Sequence, residues 1–523
     1  MPHILVGRLF PSHNDRSLNP IQHFDVIIVG AGLSGIGAGY RLQTQCPGKK
    51  YIILESREAI GGTWDLFRYP GVRSDSDMFT LGYPFRPWKE SKAIADGPAI
   101  LQYVRDTARE FGIDKNIRFR QRLISASWSS EKTQWLLEVE DAANGKTIQY
   151  SCNFLYGCTG YYRYDSGYAP AFPGAGQFRG QFIHPQHWPE NLDYSGKKIV
   201  VIGSGATAVT LVPAMAETAA HVTMLQRSPT YILTVPAKDP VERLLSKFLP
   251  QRAKHRLMRW KNILVSFGIF QLARRAPGFT RNLFRKGAAA NLPQGYDVDK
   301  HFHPKYEPWD QRLCLVPDSD LFKSIRAGQA SVVTDQIASF TENGIRLQSG
   351  QHLDADIVVS ATGLQLLVFG SARLAVDGAP VDPGRTFVYK GCLLSNVPNF
   401  AFCVGYTNAS WTLRADLVSL FVCRILRRMA RKGYRICKPV CDPASLEERP
   451  LLNLNSGYVT RATPNLPKQS TRRPWLVRQN YFFDLFTMRL SRLEDGILQF
   501  EESAPATQLK TKAGVTSVPS ATD

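Results

Sequence analysis

The sequence predicts an α/β fold of two nucleotide-binding parallel sheets, the second inserted into the first and itself interrupted by a helical insertion. Three observations predict it. Two glycine-rich turns, at Gly30 and Gly203, each follow a short β-branched apolar run. Two segments, Asn153-Phe-Leu-Tyr-Gly157-Cys-Thr-Gly160 and Asp356-Ile-Val-Val-Ser-Ala-Thr-Gly363, repeat a strand that ends in a Thr-Gly turn. A chain of 523 residues also exceeds what one hydrophobic core supports, so more than one domain is expected.

The first unit opens with the apolar run Phe24-Asp-Val-Ile-Ile-Val29, read as a buried parallel strand. It leads into Gly30-Ala-Gly32-Leu-Ser-Gly35 and a small-residue helix. This is the Rossmann-like order that a dinucleotide requires. Gly30 permits the tight turn, Gly32 lets the backbone approach a pyrophosphate, and Gly35 lets helix and strand pack closely. Glu55 ends the next strand, Tyr51-Ile-Ile-Leu54, at the distance that suits a carboxylate bonding a ribose 2′-hydroxyl.

The second unit repeats the pattern with Lys198-Ile-Val-Val-Ile202 and Gly203-Ser-Gly205-Ala-Thr-Ala208. Its next strand, His221-Val-Thr-Met-Leu225, ends in Gln226-Arg227 instead of an acid. Arg227 supplies a planar cationic fork for a 2′-phosphate, so NADPH is expected over NADH. Two such turns in one chain imply two cofactors brought face to face.

The expected boundaries are 21–162 for the first part of one dinucleotide-binding domain and 163–350 for an NADPH-binding domain. Residues 351–502 return to the first domain, and 503–523 form a disordered tail poor in large apolar residues. The insertion, about 236–300, is basic: from Lys238 to Lys286 there are thirteen Lys or Arg against two acids, interleaved with Leu257, Trp260, Leu264 and Phe267. A solvated helix face around a substrate tunnel is the leading reading, ahead of a weak membrane-surface contact, with nucleic-acid contact last. The whole chain carries a net charge of +20, yet no nucleic-acid module is recognisable.

No run approaches a membrane span, and the amino terminus lacks a secretory pattern. Nine scattered cysteines fit reduced thiols in the cytoplasm. No metal site is expected. Pro185 breaks the helix that His184 and His187 would need to share a ligand face, and His301 and His303 have no partner cluster.

Between the two units lies Phe178-Arg-Gly180-Gln-Phe-Ile-His184-Pro-Gln-His-Trp188-Pro189. This pattern, F-x-G-x-x-x-H-x-x-x-W-P, resembles the fingerprint of Baeyer-Villiger monooxygenases, class B flavoprotein monooxygenases. The segment Gly61-Gly62-Thr63-Trp64-Asp-Leu-Phe-Arg-Tyr69-Pro70-Gly71-Val-Arg-Ser-Asp75 is similar to the flavin-side motif of the same family. Together with Asp310-Gln-Arg312-Leu-Cys and Gly405-Tyr-Thr-Asn-Ala-Ser-Trp411-Thr-Leu-Arg, these segments make the chain most similar to the ethionamide-activating subgroup, over roughly residues 21 to 500.

The resemblance implies that the domain formed by 21–162 and 351–502 is FAD-binding, that NADPH reduces FAD, that oxygen forms a C4a-peroxyflavin, and that this attacks a ketone to give an ester or lactone. It implies Arg312 as the cation beside the reacting flavin and Asp75 as the carboxylate that orients it. Thr63, Trp64 and Asp75 fall on the flavin side, while Phe178, Gly180, His184 and Trp188 serve the link between domains. Two departures stand out: Gln311 replaces a lysine that many relatives use for the 2′-phosphate, and Ser74 replaces a cysteine. Other readings are a class B enzyme oxygenating sulfides, thioamides or amines, and an NADPH oxidase or flavin reductase. The particular ketone or heteroatom substrate and the oligomeric state are not encoded in any motif.

Overall fold

The computed structural model describes residues 20–502, so the expected tail 503–523 lies outside the described residues. The strand Gln22–Val29 pairs in parallel with Tyr51–Leu54 on one side and Lys146–Gly157 on the other. Val26, Ile27 and Ile28 have no exposed surface, as expected of a strand covered on both faces. Lys146–Gly157 does two jobs. Its first half closes an antiparallel meander with Gln134–Asp141 and Gln121–Ser129, and its end pairs in parallel with Phe400–Phe402. The helix Leu33–Gln45 lies against this sheet through small residues and against the helix Trp411–Lys432.

A second sheet of five parallel strands runs in the order Ala330–Thr334, His221–Gln226, Lys198–Ile202, Ile357–Ser360, Gln181–Ile183. The helix Ala206–Met215 crosses over from Lys198–Ile202 to His221–Gln226. The return to the first sheet comes later than the expected residue 351. Ile357–Ser360 is buried on both faces and fills the place between Lys198–Ile202 and Gln181–Ile183, so the crossing falls after it, and Arg373–Val376 is the next strand of the first sheet.

The two connections between the sheets run side by side. Tyr162 bridges Leu366, Arg163 N–H donates to the Gln365 carbonyl, Tyr168 N–H donates to the Gly363 carbonyl, and Leu367 N–H donates to the Tyr161 carbonyl.

The helical insertion leaves the second unit at Ile232–Val235 and rejoins it at Cys314–Pro317, two strands that pair in parallel. Between them lie Pro240–Leu245, Gln251–Arg275, Pro277–Asn291 and Val298–Phe302. Not all of its cations are solvated. Lys254 pairs with Glu242 at 2.5 Å, Lys261 pairs with Asp239, and Arg274, Arg281 and Arg285 pair with Asp310, Glu307 and Asp299. Arg259 is buried and donates to the carbonyls of Phe79, Thr80 and Gly82. These are the last carbonyls of the short helix Met78–Leu81 and its cap, the groups that a helix end leaves without partners. Asn262 donates to Asp77, the residue that caps the other end of that helix, and Met258 packs on Phe79 and Ala93. One face of the long helix is thereby anchored to the first unit.

Among the described residues no helix is long and apolar enough to cross a membrane. All nine cysteines are unbridged.

Two stability outcomes follow. Arg259→Met leaves three buried carbonyls without a donor and should cost about 3 kcal/mol, read as a lower denaturation midpoint. His255, buried beside Phe79 and near Arg259, has its pKa pushed down by burial first and Arg259 second, from 6.5 to about 4. The folded state therefore resists protonation that the unfolded chain accepts. Stability should fall as pH drops from 6.5 towards 4, by up to about 3 kcal/mol, and His255→Phe should flatten that limb of the stability curve.

Candidate functional site

Both nucleotide turns open into one continuous cavity of about 1320 Å³. The same construction forms each turn. Gly30 N–H donates to the Leu54 carbonyl and Gly203 N–H to that of Leu225, each the last or next-to-last residue of the neighbouring strand. Gly30 has φ +105° and Gly203 φ +135°, where side-chain-bearing residues are strained. A Cβ on Gly30 would meet the Cys158 carbonyl at 2.6 Å, and one on Gly203 the Ala361 carbonyl at 2.4 Å. The Thr-Gly segments thus form the backs of the two turns. Gly32 and Gly205 border the cavity itself. Gly35 packs on the Gly30 carbonyl, and Ala208, the third position of the second turn, is fully buried.

Glu55 is buried at the cavity wall. It accepts hydrogen bonds from the N–H groups of Ala31 at 2.7 Å and Arg57 at 2.9 Å, while burial raises its pKa. Its carboxylate therefore steadies the first glycine turn. Thr63 and Trp64 begin the short helix Thr63–Leu66 after Gly61 and Gly62, and both line the cavity. Buried Asp65 holds that helix by pairing with Arg57 at 2.6 Å and Arg105 at 3.0 Å. On the opposite wall Arg227 lies exposed along the cavity and makes no ion pair among the described residues, and Gln311 lines the same space.

Arg312 comes from the second unit and Asp75 from the first, 237 positions apart in sequence, yet Arg312 Nη1 lies 3.4 Å from Asp75 Oδ2. A second guanidinium N–H donates to the Tyr161 hydroxyl at 2.9 Å. Tyr161 foremost, then Tyr162, Tyr458 and Asp75, hold Arg312 even further above its ordinary pKa against the burial that opposes it. Its Nε is enclosed and has no partner among the described residues, and with two of the five guanidinium N–H groups bonded, donors on Nη1 and Nη2 remain for a bound acceptor. With the glycine cradle of Gly30 and Gly32, these free donors fit a flavin on the first unit.

Asp75 is presented by a tight local turn. Ser74 donates to the Ser76 carbonyl at 2.7 Å and accepts from Ser76 N–H, and adjacent Arg73 pairs with Asp320 of the second unit. Ser74 thus has a positioning task that its replacement of a cysteine did not reveal. Trp309, three residues before Arg312, has φ 70°, and Phe369 and Ser371 across the cavity have φ 53° and 68°. Such strain is held only where surrounding structure over-determines it.

The fingerprint does not touch this cluster. Phe178 packs edge-on against Phe340, and Gly180 lies against the Asp356 carbonyl where a Cβ would meet it at 2.3 Å. His184 fills the space beside Gly167 of the first connection, with its pKa lowered by burial. Trp188 packs on the core of the second unit. Gln186, which the sequence pattern leaves unspecified, is buried and donates to the carbonyls of Arg163 at 2.9 Å and Tyr164 at 2.8 Å. His184 and His187 are thus directed at the connecting strand, the latter at the Asp165 carbonyl. Tyr161 and Tyr458 were missed as well. Only the position of Tyr161 immediately after a Thr-Gly turn would have marked it.

Residues 82–260 match a flavin-binding monooxygenase-like family, and residues 28–96 match an NAD(P)-binding Rossmann-like domain. The chain is 54% identical to the FAD-containing monooxygenase EthA of Mycolicibacterium smegmatis over 93% of its own length and 98% of that protein. It is 49% identical to the probable FAD-binding monooxygenase AlmA of Acinetobacter baylyi, covering 94% and 99%. Its fold is similar to that of an oxidized steroid monooxygenase bound to NADP, with a TM-score of 0.69, 23% identity, and 81% and 89% of the two chains covered. An open cyclohexanone monooxygenase gives a TM-score of 0.68 at 20% identity, covering 81% and 91%.

Tyr161→Phe removes the hydroxyl that accepts from Arg312 while keeping the ring against Trp411. Product formation should fall about tenfold with little change in denaturation midpoint, measured by steady-state turnover and thermal melts.

Proposed function

The chain belongs to the FAD-containing monooxygenase family of class B flavoproteins, and on that premise we propose that it oxidises ketones to esters or lactones with NADPH and O2, in the Baeyer-Villiger manner. When bound, FAD supplies the oxygen chemistry after reduction by the nicotinamide. The observation that carries the reading is a cation, Arg312, set at the meeting of two nucleotide turns in one cavity. A preorganised guanidinium stabilises negative charge that develops on oxygen, and it needs no rearrangement as the reaction proceeds.

Within this reading, Arg312 is the catalytic residue and Asp75 with Tyr161 fixes its direction. Gly30, Gly32, Gly35, Glu55, Thr63 and Trp64 hold FAD, while Gly203, Gly205, Ala208 and Arg227 hold NADPH. Because Gln311 is neutral, recognition of the 2′-phosphate rests on Arg227, the cavity-lining cation at the end of His221–Gln226. Phe178, Gly180, His184 and Trp188 act in the linkage between the two cofactor domains. The compartment we propose is the cytoplasm, supported by nine unbridged cysteines, with weak membrane contact through the helical insertion.

Gas chromatography of products from linear and cyclic ketones and one sulfide tests the reading. Ester or lactone is expected; sulfoxide alone, or hydrogen peroxide alone, would overturn the ketone assignment. Arg312→Ala should retain FAD absorbance and lose ester formation by about a thousandfold. Arg227→Ala should raise the KM for NADPH about tenfold or more and leave that for NADH nearly unchanged.

A further inference from the structure

The helix Gln251–Arg275 is apolar on two sides. Its inward side buries Met258 and Ile263 together with His255, Arg259 and Asn262, yet Leu257, Trp260, Leu264 and Leu272 are exposed. Spacings of 3, 4 and 8 residues put these four along one side of a helix. An ordinary surface helix turns a polar face to water and keeps its apolar residues inward.

The stripe does not stand alone. Pairing of Glu242 with Lys254 and Asp239 with Lys261 lays Pro240–Leu245 alongside the long helix, and Phe248 in the turn between them is 75% exposed. On the other flank, Trp260 and Phe267 contact Phe482 at ring-centroid distances of 6.4 and 5.2 Å. Phe486 lies one helical turn beyond Phe482, and Leu490 one turn further, the latter 71% exposed. Large apolar side chains from three consecutive elements of the surface thus meet solvent together, which monomeric soluble proteins ordinarily avoid.

Charge decides what covers them. The two acids between 238 and 286 are both turned to Lys254 and Lys261, whereas Arg243, Lys247, Arg252 and Arg256 are exposed and make no ion pair among the described residues. Exposed Arg489 and Arg492 flank Leu490. A second copy of the chain would bring these cations against their own kind. An anionic bilayer surface satisfies both features, taking the arginines and lysines at its headgroups and the apolar side chains below them.

We propose that this face docks the protein on an anionic lipid bilayer without crossing it. The same long helix lines the cavity with Asn262, Val265, Ser266 and Ile269, so docking sets the cavity wall against the layer in which apolar molecules dissolve. This inference deepens the membrane contact proposed above and stands apart from the oxygen-transfer reading, because it rests on surface residues alone.

The test is flotation of the full FAD-loaded chain with vesicles of phosphatidylcholine alone, or containing roughly 30 mol % phosphatidylglycerol, at low and high salt. Binding to the anionic vesicles, weakened by salt, is expected. The double variant Leu257→Glu/Leu264→Glu should bind about tenfold more weakly or less, and Arg252→Glu/Arg256→Glu should lose the preference for phosphatidylglycerol. Both should keep the flavin spectrum, the denaturation midpoint and turnover of a water-soluble substrate. Absence of flotation, equal flotation of the Leu257→Glu/Leu264→Glu protein, or binding indifferent to lipid charge would overturn the proposal. So would light scattering that shows a dimer split by those substitutions in a protein that does not float.

Discussion

Everything at the site depends on two chain crossings being held side by side. Residues 161–168 and 362–367 leave the two Thr-Gly turns and hydrogen-bond to each other, so the two sheets are joined at the point where each exposes its nucleotide turn. A single crossing would leave the second unit free to swivel. A paired crossing, with Gln186 donating to its backbone and His184 packed on Gly167, restricts that rotation. The fingerprint residues therefore pack on the connection and on the second unit, away from the Arg312 cluster.

The placement of the two units matters because the site cation is shared. Arg312 belongs to the second unit, but its partners, Asp75 and Tyr161, belong to the first unit and to the connection. The ion pair is about a third exposed on the arginine side and would add little stability as a surface contact. Its value lies in direction. A guanidinium held by a carboxylate and a phenol keeps its remaining N–H groups in place, and the neighbouring Arg73 to Asp320 pair ties the same loop to the second unit. Relative motion of the units would be felt first at this cluster.

The helical insertion follows a different logic. Its inner face combines buried Met258 and Ile263 with polar side chains, Arg259 on the end carbonyls of Met78–Leu81 and Asn262 on the Asp77 carboxylate that caps it. The outer face carries Leu257, Trp260 and Leu264 as well, an arrangement that a reading of composition cannot separate from a simple basic helix. The cation count alone misleads, since Lys254, Arg259 and Lys261 are spent within the protein.

Much of the organisation is legible in the chain because dinucleotide turns are local. Strand, glycine turn and helix occupy consecutive residues, and the spacing of Gly30, Gly32 and Gly35 follows from backbone geometry alone. The long motifs around Asp75, His184 and Arg312 were equally visible as strings. Their contacts were not, since Asp75 and Arg312 are far apart in sequence and meet only after both crossings form. The expected return to the first sheet near 351 was early because a doubly buried apolar strand such as Ile357–Ser360 reads alike in either sheet. Sequence by itself thus determined the two turns and the chemical types gathered near them. Tertiary structure alone decided which face of each helix meets water and which charges meet each other, because those depend on packing between segments that local spacing cannot encode.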